Sequence, residues 1–187
     1  MKFLKRSARP NPKVSLILLD WSVRESFHLL HYLGRQDVPR DDFEVLVIEY
    51  YSRVSDAIRR FEDQVDTWLL LEMPEDCYYH KHVMYNAGIV LARGEICVIC
   101  DSDAMVKPGF IRAIVEGRAP TIYGDGEQTR DFTYVSNVVD GVLRACQAPK
   151  AAGSVINVAT GGRISLNELY AALQRLTNTS IPVQYAE

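Results

Sequence analysis

Cys97-Val98-Ile99-Cys100-Asp101-Ser102-Asp103 decides the fold: a short apolar run closed by two carboxylates. Together with Ile96, such a run reads as a buried strand of a parallel sheet, with the acids at its carboxyl end. Upstream, about Lys81 to Ala92 has helical length and stops at Gly94. Before it come the strand Thr67-Trp68-Leu69-Leu70-Leu71, a helix over about Val54 to Phe61, and the strand Phe43 to Glu49. The first strand is Val14 to Asp20. Ser22-Val23-Arg24-Glu25 after it has the form of a capping box. Val23, Phe27, Leu30 and Leu33 then keep helical spacing up to Gly34. Strands alternating with helices predict an α/β class, a parallel-sheet half-domain with helices on its faces. Ligands of such sheets bind beyond the carboxyl ends of the strands, so Asp20, Glu49, Asp101 and Asp103 are expected to line one crevice.

Downstream, Pro108 suits the first turn of a helix running to about Glu116, with Gly117 behind it. The texture then changes to a small α/β tail. Tyr123-Gly124-Asp125-Gly126-Glu127 is a glycine-rich turn, and Asp131 to Val135 a strand or extended segment. Ser136 is expected to cap a helix over about Asn137 to Cys146. Val155 to Val158 reads as a strand and Gly161-Gly162 as a turn. Ser165-Leu166-Asn167-Glu168 is a second capping box, opening a helix to about Leu176. Three segments result: a polar lead over 1–12, a parallel-sheet half-domain over 13–116, and the small α/β tail over 117–187.

Composition narrows the function classes. A net charge of −3 gives no electrostatic footprint for nucleic acid. The apolar runs are too short for a transmembrane segment, and no signal-peptide run follows the basic start. Four cysteines suggest a reducing, cytoplasmic setting. Cys97 and Cys100 have C-x-x-C spacing but lie in the apolar run, and no second ligand pair accompanies them. His80 and His82, two apart at a helix start, share no helical face and read as a solvated turn, where Lys81 could assist phosphate binding.

Asp101-Ser102-Asp103 suits a hard divalent cation, Mg²⁺ or Mn²⁺, bound to a diphosphate. The plainer alternative is a polar exit from the strand. The stretch over about 13–116 resembles family-2 glycosyltransferases of the GT-A fold. The likeness rests on Val14 to Asp20, Glu44 to Glu49, and Asn86-Ala87-Gly88-Ile89-Val90-Leu91-Ala92-Arg93-Gly94-Glu95 leading into Asp101-Ser102-Asp103. It implies that Asp101 and Asp103 contact the metal and the diphosphate of a nucleotide-sugar donor. It also implies that Glu49 lies near the nucleoside, with Asp20 at the first strand end. That family's catalytic base and acceptor-site residues lie downstream of the acidic motif, and nothing after Glu116 resembles them. The catalytic residues and the sugar acceptor are therefore unknown from the sequence.

Pro120-Thr121-Ile122-Tyr123-Gly124-Asp125-Gly126-Glu127-Gln128-Thr129-Arg130-Asp131-Phe132-Thr133-Tyr134-Val135 carries a second resemblance. It is similar to the carboxyl-terminal part of nucleotide-sugar epimerases and dehydratases, and Ile156 to Gly161 and Ser165 to Leu169 continue it. This implies that Arg130 pairs with the diphosphate of a UDP-sugar and that the turn at Tyr123 approaches the nucleotide. No G-x-x-G-x-x-G turn follows a first strand, and no Tyr-x-x-x-Lys pair occurs, so NAD is expected to be unlikely. The chain thus reads as a donor-binding half joined to a substrate-binding tail. A tail without its usual sheet is expected to expose apolar faces, and to pack on the first sheet or self-associate.

Overall fold

Short apolar runs separated by helices assemble as the spacing predicts, and the mainly parallel sheet confirms the α/β class. The computed structural model describes residues 1–7, 9–20 and 26–187. It divides into two units, Met1–Gly117 and Arg118–Glu187. The capping box expected at Ser22 to Glu25, and Val23 with it, lie outside the described residues.

The first unit is a five-stranded sheet. Its strands are β1 (Lys2–Arg6), β2 (Val14–Asp20), β3 (Phe43–Tyr51), β4 (Thr67–Met73) and β5 (Ile96–Ile99), in the order β1-β4-β3-β2-β5. All pairings are parallel except β1 with β4. Its helices are α1 (His28–Leu33), α2 (Asp56–Arg59), α3 (Lys81–Leu91) and α4 (Phe110–Val115).

Every residue of β2, and all of β3 but Tyr51, is buried, as expected of strands covered on both faces. Strand periodicity sorts their side chains. Val14, Leu16, Leu18, Val45 and Val47 pack with Leu29, Leu30 and Leu33 of α1, while Ile17, Leu19, Ile48 and Tyr50 pack with Met84 of α3. Gly88 explains how closely α3 lies on the sheet: a Cβ there would drive into the Ile17 side chain. At Gly94 a Cβ would come 2.6 Å from the Ser15 backbone nitrogen.

The opening stretch departs from expectation. β5 is no buried strand: Ile96 is 40% exposed and Ile99 49%, and Cys97 is exposed too. The reason is position, since β5 closes the sheet and pairs with β2 alone. The lead is not purely irregular either, because Lys2–Arg6 adds an antiparallel strand on β4. The helix expected over about Val54 to Phe61 shrinks to the single turn of α2.

The second unit pairs β6 (Thr121–Tyr123) in parallel with β9 (Gln184–Ala186), and β7 (Thr129–Arg130) antiparallel with β8 (Ile164–Ser165). Its helices are α5 (Val135–Gln147) and α6 (Leu166–Thr177). The capping box at α6 forms: Ser165 Oγ accepts from the Glu168 amide at 3.2 Å, and Glu168 Oε2 from the Ser165 amide at 2.8 Å. Ser136 does not cap α5. Tyr134 holds that position without a side-chain bond, and Ser136 falls inside the first turn. Val155 to Val158 joins no sheet. None of the α5 residues is buried, and Val135, Val138, Val139, Val142 and Leu143 form an exposed apolar stripe at helical spacing. Among the described residues no helix is long and apolar enough to cross a membrane.

Candidate functional site

In the first unit two of the expected acids, Asp20 and Glu49, stand side by side at the carboxyl end of the sheet. Asp20 ends β2 directly opposite Glu49 of β3 in the parallel ladder, and both side chains are buried. The Trp68 indole N–H of β4 donates to Glu49 Oε1, and the Ser55 amide donates to Glu49 Oε2 at 3.2 Å. Burial raises the Glu49 pKa to about 7, and the Asp20 charge pushes the same way. The Trp68 and Ser55 donors oppose that rise by favouring the carboxylate.

Asp101 and Asp103 follow β5 at this same end of the sheet, but both are exposed. Buried Ser102 between them ties the exit to α1, its carbonyl accepting from the Leu29 amide at 3.0 Å. Among the described residues no group of three or more His, Cys, Asp or Glu is placed to hold a metal ion. The Mg²⁺ or Mn²⁺ site expected at Asp101 and Asp103 is therefore withdrawn: two exposed acids on a strand exit gather no further ligands. The plainer reading of Asp-Ser-Asp stands in its place.

The motif Ala92-Arg93-Gly94-Glu95 acts at the opposite end. Glu44 is fully buried near the start of β3. It accepts from Ser15 Oγ at 2.6 Å, from the Arg93 amide at 2.7 Å and from Arg93 Nη2 at 2.5 Å. The Gly94 amide donates to Ser15 Oγ at 2.8 Å. This motif anchors the connection from α3 to β5 and touches no ligand end of the sheet.

In the second unit the glycine-rich turn is held open to solvent by α6. Gly124 and Gly126 have φ of 80° and 77°, which glycine adopts without penalty. Asn167 Nδ2 donates to the Asp125 carbonyl at 3.0 Å and to Glu127 Oε1 at 2.6 Å, and Tyr185 OH donates to Asn167 Oδ1 at 2.8 Å. Tyr123, 70% exposed, stands at the start of this turn. Arg130 lies on β7, and its Nη1 donates only to the neighbouring Thr129 carbonyl, at 2.8 Å. Asp131 next to it accepts from Thr160 Oγ1 at 2.7 Å, the Gly161 amide at 2.9 Å, Thr133 Oγ1 at 3.2 Å and the Thr160 amide at 3.4 Å. The Thr160 hydroxyl, followed by the backbone donors, holds the Asp131 pKa below the usual carboxylate value.

Thr129, Arg130, Asp131, Gly161, Gly162 and Arg163 line a concavity of about 530 Å³. Sequence reading missed Asn167 and Arg163. Asn167 sits inside the capping box that was recognised for its local role, and Arg163 reaches Arg130 only through the β7–β8 pairing. The sole signal was the Gly161-Gly162 turn before it.

Residues 100–159 match the NAD dependent epimerase/dehydratase family. The match begins ahead of Asp101-Ser102-Asp103, so the acidic stretch lies inside it. The chain is 40% identical over 77 residues to UDP-N-acetyl-alpha-D-glucosaminuronate decarboxylase of Bacillus cytotoxicus, covering 41% of this chain and 24% of that protein. It is 42% identical over 71 residues to UDP-glucose 4-epimerase of Mycolicibacterium smegmatis, covering 38% of this chain and 22% of that protein. The chain thus spans about a quarter of the length of these curated relatives. Among solved structures, S. aureus TarS 1–349 is similar in fold, with a TM-score of 0.50 and 18% identity over 65% of this chain and 41% of that one.

The family match overturns the expectation that NAD is unlikely, because the matched family is NAD-dependent by its own description. A missing fingerprint says nothing against a cofactor in a chain that spans so little of its relatives. The described turn at Tyr123 to Gly126 leads into β7 and opens no helix, so it is not the strand–turn–helix cradle of a dinucleotide pyrophosphate.

Proposed function

We propose that this chain binds a nucleotide-sugar, of UDP-sugar type, through its epimerase/dehydratase-like segment. The observation that carries this is the coincidence of the family match over 100–159 with a braced glycine turn and an Arg130 that makes no ion pair among the described residues. The turn at Tyr123 offers backbone and an aromatic face to the nucleotide. The planar Arg130 fork offers two parallel donors to a diphosphate. The names of the relatives agree on UDP-sugars as the compounds they act on.

Calorimetry of the full chain with UDP-glucose tests the proposal. Binding should weaken about tenfold or more in Arg130→Met, the loss expected for one charge-assisted bidentate pair. Absence of binding to the unaltered chain overturns it.

A second reading assigns donor binding to residues 13–116, on the buried Asp20–Glu49 pair at the carboxyl end of the sheet. It predicts that Glu49→Gln abolishes UDP-glucose binding while Arg130→Met leaves it intact. The same titrations therefore separate the two.

A further inference from the structure

In the first unit two helical turns enclose a cavity of about 280 Å³. α1 buries Leu29, Leu30 and Leu33 on the sheet, which leaves His28, His31 and Tyr32 to line the cavity. α2 buries Ile58, and Ala57, Arg60 and Phe61 form the other wall. Both triads have the spacing i, i+3, i+4, so each is one face of one helical turn. The cavity lies outside residues 100–159, which match the family, and neither Asp20, Glu49 nor Arg130 lines it.

Among the described residues no carboxylate lines this cavity, although the whole chain carries a net charge of −3. Arg60 makes no ion pair and no side-chain hydrogen bond among the described residues, so its fork of donors is uncommitted. Asp56, the acid of α2, stands 4.0 Å from Arg59 instead. Ser26 Oγ and His28 Nε2, both at the cavity, lie 3.2 Å apart. When Nε2–H donates to Oγ, the serine hydroxyl proton is free for a third partner, and an oxyanion can be that partner. The remaining walls are apolar and aromatic. Phe27 is buried, and the His31 ring meets Tyr32 and Phe61 edge to face at 5.5 and 6.3 Å. Rings set at steep angles offer a flat guest both face and edge contacts. Ligand pockets usually span about 300–1,000 Å³, so this one admits a single ring and not a nucleotide-sugar.

We infer that this cavity binds a small aryl oxyanion, a single ring bearing one carboxylate or phosphate. Arg60 and the Ser26–His28 pair take the anion, and Phe61 and Tyr32 take the ring. Carboxylate and phosphate share the chemistry that matters, two oxygens matched to the parallel donors of a guanidinium. The inference is independent of nucleotide-sugar binding by the second unit.

The test is calorimetry of the full chain with benzoate, phenyl phosphate, benzyl alcohol and inorganic phosphate, repeated for Arg60→Met, Arg60→Lys and Ala57→Leu. The tighter of the two aryl anions, which identifies the preferred head group, should bind about tenfold or more tightly than benzyl alcohol or inorganic phosphate. Arg60→Met should remove the preference over benzyl alcohol, and Arg60→Lys should keep part of it. Ala57→Leu, which fills the cavity, should abolish binding of every aromatic probe. Unchanged melting separates a binding loss from a folding loss, and Arg60 is exposed, so its replacement leaves the core intact. Benzyl alcohol binding as tightly as both aryl anions overturns the inference, as does inorganic phosphate matching phenyl phosphate. Anion binding indifferent to Arg60 overturns it too, and so does a chain that binds none of the probes. UDP-glucose binding should be unchanged in Arg60→Met, and its loss there would overturn the separate site. Failure of the unaltered chain to bind UDP-glucose sinks the nucleotide-sugar reading alone.

Discussion

Glu49 carries a pH signature. Its carboxyl is held protonated up to about pH 7 in the folded chain, against about 4.5 when exposed. Below pH 4.5 both states bind the proton and the folded state has its full advantage. Between 4.5 and 7 only the folded state still binds it, so stability falls as pH rises, by about 3 kcal/mol across the window. We expect chemical denaturation midpoints to decline from pH 5 to pH 7.5, and Glu49→Gln to flatten that decline. A wild-type profile as flat as the variant's would contradict the assignment. Asp20 and Glu49 were legible in the sequence because an acid ending a short apolar strand has one place to be. The partners of Glu49 were not, since Trp68 and Ser55 meet it only through sheet order and loop path.

At the scale of elements, close approach of helix to sheet gives the next test. Gly88 lets α3 lie on Ile17, and the Ala92 to Glu95 connection then anchors on buried Glu44. Gly88→Ala is expected to destabilise the chain by about 1–3 kcal/mol through overpacking. Combined with Ile17→Ala, which clears the space, it should cost less than the sum of the two changes, read from a double-mutant cycle in urea. Additive effects would show that the two residues do not meet. Strands β2, β3 and β4 were legible from their apolar runs, and the α6 capping box from four residues. β5 was misjudged because its run has the composition of a central strand, while exposure depends on which strand pairs beyond it. Ser136 was misjudged because several polar residues could open α5, and the backbone chose Tyr134.

Across the whole chain the two units differ in how much they bury. The first holds two apolar layers around β2 and β3, whereas among hydrophobic residues after Gly117 only Ile122 is buried. The exposed stripe on α5 is a contiguous apolar face of a kind that monomeric proteins rarely leave uncovered. We expect self-association through it. Sedimentation should show an apparent mass that rises with concentration, and Val139→Glu should abolish the rise. A concentration-independent monomer would contradict this. That the tail would be rich in apolar surface was legible, because its resemblance lay with proteins of which this chain spans only part.

The place of β5 has a practical consequence for handling the molecule. One side of that strand carries a row of backbone donors and acceptors with no strand beyond it among the described residues, flanked by half-bared isoleucines. Such a margin can recruit another extended chain at each collision. The aggregation of purified material should thus be governed by Ile96 to Ile99, and Ile99→Lys should slow the loss of soluble protein on storage, read by light scattering.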